Sequence, residues 1–205
     1  LAASGVTSVV FDVGNVLVHW DIRKLYASSF DNQADVDRFC HEVVTPEWHF
    51  QHDAGASLSD TIPALVQRFP EHRERIEAYE PRWMETVGPV VAGMDKLIAE
   101  LDDANIPMFA ITNFSIELWP RFVAATPIIS KFRDVIVSGA HKIVKPDPAI
   151  YKLALQRFGI AENQAVFIDD RIENITAATR SGFVGHHFET AEKLRAELVL
   201  LGVLR

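Results

Sequence analysis

Four places in this chain put oxygen and nitrogen donors directly behind runs of apolar, mostly β-branched residues. Asp12-Val13-Gly14-Asn15 follows the first run, Thr112-Asn113 the second, and Asp169-Asp170 the fourth. Lys145 lies in the turn segment Lys145-Pro146-Asp147-Pro148 after the third. If the runs are parallel strands, three carboxylates, a hydroxyl, an amide and an ammonium converge on one sheet edge, where open α/β sheets bind ligands. Crowded carboxylates at such an edge point to a divalent cation with oxygen ligands.

Each residue also has a plainer use. Asp169 or Asp170 could cap a helix that begins near Arg171, and Thr112 or Asn113 a helix near Ile116. Lys145 could be a solvated loop charge. Taken together, these uses leave three like charges crowded without a reason.

The elements that would carry these groups follow from periodicity. Apolar runs at 8–11, 107–112, 134–138, 165–168 and 183–188 are each bounded by Gly, Asp, Asn or Pro, as buried strands are. Amphipathic helical patterns fill 94–104, 116–125, 148–158, 172–181 and 191–201. Strand alternating with helix predicts an α/β fold, a Rossmann-like parallel sheet covered on both faces. After Val18 no strand signal appears before Pro107, and the stretch from Asp21 to Val87 is helical in pattern throughout. That length is too great for a crossover and predicts an inserted α-helical cap; the plainer alternative is two helices lying on the sheet. The expected boundaries are 1–18 and 88–205 for the core and 19–87 for the cap.

Composition narrows the function classes. The 205 residues are 48% hydrophobic and 23% charged, which excludes wholesale disorder. A net charge of −8 argues against nucleic-acid and membrane-surface partners, which need bound cations opposite phosphates. Cys40 is the single cysteine, so neither an intrachain disulfide nor a cysteine metal site can form; it reads as a small buried helix residue. Residues 1–8 lack a basic segment followed by an apolar one, and no stretch reaches the roughly 18 apolar residues of a membrane span. A cytoplasmic protein is expected. His186-His187 is not a metal pair, because neighbours on a strand point to opposite faces. The C-terminal LVLLGVLR run is expected to pack on the core or form a dimer surface.

The motifs VVFDVGNVL (9–17), AITN (110–113), KPDPAIY (145–151) and VFIDDRIENI (166–175) together resemble those of the haloacid dehalogenase-like (HAD) hydrolase superfamily. They occur in its order and span the sheet domain. The resemblance implies that Asp12 is a nucleophile forming an aspartyl-phosphate. It implies Mg²⁺ held by Asp12, the Gly14 carbonyl and Asp170, with Asp169 a nearer or water-mediated partner. Thr112 and the Asn113 N–H would cradle a phosphoryl oxygen, Lys145 would offset charge and orient Asp12, and Asn174 would support the last loop.

One departure matters. Most HAD phosphatases carry a second Asp two residues after the nucleophile, a general acid and base, where this chain has Gly14. Backbone ligation survives the change and proton transfer does not, a loss typically of about 10²–10⁴-fold. Haloacid dehalogenases also lack that Asp and work without metal, since halide leaves unprotonated, and Tyr151 fits their pattern too. They usually lack the acidic pair found here at Asp169 and Asp170, and Val16 replaces the Thr of their first motif. The D-x-G-N-V form looks like a branch of phosphatases that includes sugar-phosphate phosphatases. His19, in the flap segment VHWD, is a candidate replacement acid because histidine is the side-chain type suited to proton transfer near neutrality, with a surface role as the alternative.

The helical stretch resembles the cap of one HAD branch. Its segment Trp48-His49-Phe50-Gln51-His52-Asp53-Ala54-Gly55 looks like the cap loop that faces the catalytic edge. Trp48, His52 and Asp53 would touch the leaving group, and Gly55 would let the backbone approach a ligand; the plainer alternative is Trp48 in the cap core with the histidines solvated. The expectation is a Mg²⁺-dependent phosphatase acting on a small phosphomonoester, as a monomer or homodimer. The alternatives are a metal-independent 2-haloacid dehalogenase and a catalytically weakened phosphate-binding relative.

Overall fold

The central apolar runs, 8–11, 108–112 and 165–169, are buried along their whole length, and the runs at 134–137 and 184–187, only partly covered, close the two edges. In the computed structural model, which describes residues 5–205, β1 (Ser8–Phe11), β4 (Met108–Thr112), β5 (Asp134–Val137), β6 (Ala165–Asp169) and β7 (Val184–His187) form one sheet. Its order is β5-β4-β1-β6-β7 and every pairing is parallel. Expectations touching residues 1–4, among them the reading of the first residues for a leader segment and the start of the core, lie outside the described part.

Alternate residues of β1 feed two cores. Val9 and Phe11 join a cluster with Leu97 and Leu101 of α7 (Met94–Asp103) and Leu194 and Leu198 of α12 (Ala191–Leu200). Val10 joins a second with Ile150, Tyr151 and Ala154 of α10 (Pro148–Phe158) and Ala178 of α11 (Ile172–Arg180). Each Val, Leu, Ile or Phe among them contributes roughly 1.5–3 kcal/mol by leaving water. The chain runs outward from β1 to β4 and β5, then crosses to β6 on the other side of β1. That reversal opens the crevice at the carboxyl end of β1.

Six helices form the lobe: α1 (Arg23–Tyr26), α2 (Gln33–Glu42), α3 (Pro46–Asp53), α4 (Leu58–Arg68), α5 (Arg73–Glu77) and α6 (Tyr79–Arg82). Asn32, Thr45 and Ser57 cap α2, α3 and α4 with their side-chain oxygens, and Pro46 fits the first turn of α3. Tyr26, Phe39, Leu65, Ile76 and Tyr79 are buried at its centre, and Cys40 is buried beside them.

Two expectations need correction. The lobe is joined to the sheet by an antiparallel ribbon, β2 (Val18–Trp20) and β3 (Val87–Val90), where no strand was expected. Three residues give too little alternation to read, and Gly88 and Pro89 argue against a strand; Pro is tolerated because this ribbon is all edge. The helix expected from Ile116 starts at Trp119, with Pro120 in its first turn, where its missing N–H is harmless (α8, Trp119–Ala125). Among the described residues no helix is long and apolar enough to cross a membrane.

Candidate active site

Asp12 is the first residue past β1, fixed by its N–H donating to the Ile168 carbonyl at 2.8 Å. Its Oδ1 accepts from the Val13 N–H at 2.6 Å and from Lys145 Nζ at 2.8 Å. Nζ also reaches Asp169 Oδ2 at 2.7 Å, and the Lys145 side chain is 1% exposed, so it is no solvated loop charge. Burial works to lower the Lys145 ammonium, but Asp12 and Asp169 outweigh it and hold it above its usual value. Burial raises the Asp12 carboxyl, Lys145 pulls it back, and Asp169 adds to the rise.

Asp169 is saturated: besides Lys145, its carboxylate accepts from the Arg171 N–H and twice from Asn174 Nδ2. Tyr151 donates to the Asn174 carbonyl at 3.1 Å, so it backs the loop from below. Asn113 clamps the Lys145 backbone from both sides, Oδ1 accepting its N–H at 2.8 Å and Nδ2 donating to its carbonyl at 3.0 Å. Its side chain thus sets the loop carrying the ammonium, a use beyond the backbone N–H role expected of it. Neither Asp169 nor Asp170 caps α11, and no side chain caps α8.

Oxygens of Asp12, Asp169 and Asp170 lie within 4.8 Å of one another. Burial, then the Asp169 charge, push the Asp170 carboxyl up against the pull of Lys145. Three carboxylates against one ammonium, all oxygen donors, suit a hard divalent cation. Asp169 spends its oxygens on four hydrogen bonds, so Asp12 and Asp170 are the carboxylates with a free face.

A cavity of about 240 Å³ opens on this cluster. Asp12, Gly14, Asn15, Asn113, Asp170 and Arg171 line its floor. Its walls are mostly apolar, with Val18 and Trp20 from the ribbon, Trp83 from the lobe, and Phe114, Leu118 and Phe122 from the segment entering and forming α8. Asn15 turns the chain here at φ 57, and its Oδ1 accepts from the Trp20 N–H at 3.1 Å, which swings the ribbon over the site.

The lobe contributes through α3, but not as expected. Asp53 lines the cavity and is 7% exposed. Trp48 and His52 do not line it: His52 Nε2 bonds Thr61 Oγ1 at 2.7 Å, and Trp48 packs edge-on against His52 and Tyr79. Residues four apart share a helix face, so Trp48 and His52 turn into the lobe while His49 and Asp53 face the cavity. His49 bonds Tyr79 Oη at 2.6 Å through Nδ1, lies against Trp20, and has Nε2 3.9 Å from Asp53 Oδ2. Burial, with His52 adding, pushes His49 down to about 3; burial pushes His52 down to about 4. Burial, then the Asp12 charge, push Asp53 up to about 7 against the pull of Lys145.

Gly55 has φ +91, and a Cβ there would stand 2.9 Å from the Gly139 carbonyl and from Lys142 Cγ. The close approach it permits is to α9 (Ser138–His141) of the core, not to a ligand. His19 is exposed and outside the cavity lining, because neighbouring Trp20 takes the inward position on β2. Thr112 is buried at the end of β4, also outside the lining. His49, Trp20, Trp83 and Arg171 were missed from the sequence, and so were Phe114, Leu118 and Phe122, whose spacing of four was the available signal.

The sequence profile described as haloacid dehalogenase-like hydrolase matches residues 6–182. Phosphoglycolate phosphatase from Pectobacterium atrosepticum is 28% identical over 122 residues, covering 59% of this chain and 52% of that protein. The matched stretch thus spans about half the length of that relative. Sesquiterpene phosphatase astK from Aspergillus oryzae is 26% identical over 186 residues and 88% of both chains. A HAD family enzyme from Bacteroides thetaiotaomicron, in complex with magnesium and inorganic phosphate, superposes with TM-score 0.71 at 17% identity, covering 91% of this chain and 96% of that one. A dehalogenase superposes with TM-score 0.67 at 19% identity, covering 90% and 85%. At such identities the two structures speak to the fold alone.

Proposed function

The chain belongs to the haloacid dehalogenase-like hydrolases, and from that premise we propose a Mg²⁺-dependent phosphatase that acts on a small phosphomonoester through Asp12. The observation that carries this reading is the floor of the cavity, where Asp12, Asp169 and Asp170 crowd within 4.8 Å and Lys145 balances only part of their charge. A haloacid dehalogenase needs no cation and therefore no such excess. The phosphatase relatives support the same choice.

Among the described residues the hydrogen bonds of the Asp12 carboxylate fall on Oδ1, which leaves Oδ2 to attack phosphorus. The P–O bond to the alcohol breaks as the aspartyl-phosphate forms, and water then releases phosphate and restores Asp12. Lys145 keeps Asp12 oriented and offsets charge on the transferring group. Asp12, Asp170 and the Gly14 carbonyl would hold Mg²⁺, which when bound neutralises charge so that two anions can meet and polarises phosphoryl oxygens. Asn113 lines the floor where a phosphoryl oxygen would rest.

The alcohol portion of the substrate we read as apolar or aromatic. A sugar leaves hydroxyls that need partners, and the walls formed by Val18, Trp20, Trp83, Phe114, Leu118 and Phe122 offer few. The sesquiterpene phosphatase relative supports this over a sugar phosphate. A cytoplasmic setting, as monomer or homodimer, completes the reading.

The test is hydrolysis of p-nitrophenyl phosphate. Activity should require Mg²⁺, vanish in EDTA, and fall by about 10⁴-fold or more in Asp12→Asn. Halide release from a 2-haloacid in EDTA would establish the dehalogenase instead. Binding of phosphate with no turnover of any ester would establish the weakened relative.

A further inference from the structure

We infer, resting on the phosphatase reading above, that Asp53 is the proton donor and acceptor that Gly14 does not supply. Three carboxyl groups line the cavity, those of Asp12, Asp53 and Asp170. Asp12 and Asp170 belong to the cluster within 4.8 Å that suits the cation; Asp53 stands outside it, on the lobe side where the alcohol would lie. Among the described residues no hydrogen bond occupies its carboxyl oxygens, and His49 Nε2 stands 3.9 Å from Oδ2. Asp53 also ends α3, where the negative end of the helix dipole favours a neutral carboxylic acid over a carboxylate.

The residue is held for such work. Ser138 donates its hydroxyl to the Asp53 carbonyl at 2.6 Å and accepts the Phe114 N–H at 3.0 Å, so one core hydroxyl pins the lobe backbone at this residue. Gly139 and Gly55 allow the fit: a Cβ on Gly139 would meet the Phe114 carbonyl at 2.8 Å and the His52 carbonyl at 3.3 Å. His49 Nδ1 shares a hydrogen bond with the Tyr79 hydroxyl at 2.6 Å, which fixes the ring with Nε2 facing Asp53.

In the first half-reaction the electron pair of the breaking P–O bond goes to the alcohol oxygen, which takes the Asp53 proton and leaves as neutral alcohol. In the second, the Asp53 carboxylate takes a proton from the attacking water as phosphate leaves Asp12. The proton lent is returned, and one water is consumed per ester.

The test compares two Mg²⁺-loaded substrates that differ in their need for protonation, benzyl phosphate and p-nitrophenyl phosphate. In Asp53→Asn, kcat/KM on benzyl phosphate should fall by about 10²–10⁴-fold while that on p-nitrophenyl phosphate changes less than about tenfold. Nitrophenolate should appear in a burst equal to enzyme, followed by slow turnover as water attack loses its base. Adding Gly14→Asp to that variant should recover benzyl phosphate hydrolysis at least about tenfold, since a Cβ at Gly14 meets nothing within 4 Å. If Asp53→Asn does not fold, Asp53→Ser is read the same way. An equal loss on both esters, an unchanged profile, or the absence of a burst would overturn the assignment. Wild-type protein inert toward both esters would overturn the phosphatase reading, and this one with it.

Discussion

On the core side of the cavity, Asp12, Lys145, Asp169 and Asn174 are bound to one another by charge-assisted hydrogen bonds that leave little slack. On the lobe side, Asp53 is held by its backbone carbonyl and by two glycines that bring α3 against α9, while among the described residues no hydrogen bond reaches its carboxyl. The core half is organised electrostatically around side chains; the lobe half is organised sterically around main chain. The contrast fits a division of labour in which attack on phosphorus needs a fixed charge pattern and proton transfer needs a carboxyl free to gain and lose its proton.

The largest break in this contrast is Lys145→Met. It strips the counter-charge from two buried carboxylates and should destabilise the metal-free protein by about 3–5 kcal/mol, read from denaturant midpoints. A loss below about 1 kcal/mol would mean that the core half is held by packing after all. Next comes a pair of glycines. Gly55→Ala forces a Cβ into the Gly139 carbonyl at a positive φ and should lose about 1–3 kcal/mol. Gly14→Ala meets nothing within 4 Å and should stay within about 0.5 kcal/mol of wild type. Equal effects at both would erase the steric distinction between the halves.

The smallest effect is a pH dependence inside the lobe. Burial pushes His52 from its ordinary 6.5 to about 4, so the unfolded chain takes up that proton at higher pH than the folded one. The stability conferred by the neutral ring is complete above about pH 6.5 and is lost as pH falls through about 4. The stability difference between wild type and His52→Gln should therefore narrow by about 1–2 kcal/mol by pH 5.5. A difference constant from pH 7 to 4 would show that the ring titrates alike in both states.

The core half was legible in the sequence and the lobe half largely was not, for a physical reason. Buried parallel strands are continuous apolar runs, and polar residues at their ends stand out; Asp12, Asp169 and Asp170 were found that way. Helix α3, Pro-Glu-Trp-His-Phe-Gln-His-Asp, carries aromatic and polar residues all round, so no stripe tells which face turns inward. The choice of Trp48 and His52 over His49 followed from that. The Asn113 clamp on Lys145 joins residues 32 apart, which no local pattern reveals. The ribbon hid because two short segments become strands only by finding each other.

Besides that ribbon and Ser138, the lobe is tied to the core by Glu117, whose carboxylate accepts the Leu58 N–H at 2.8 Å and the Ser57 hydroxyl at 3.2 Å, and by Arg121, which donates to the Glu80 carbonyl at 2.7 Å. Stitched at several points along one seam, the lobe sits flush on the sheet domain, and the aim of Asp53 toward Asp12 is set by the whole seam rather than by a single joint.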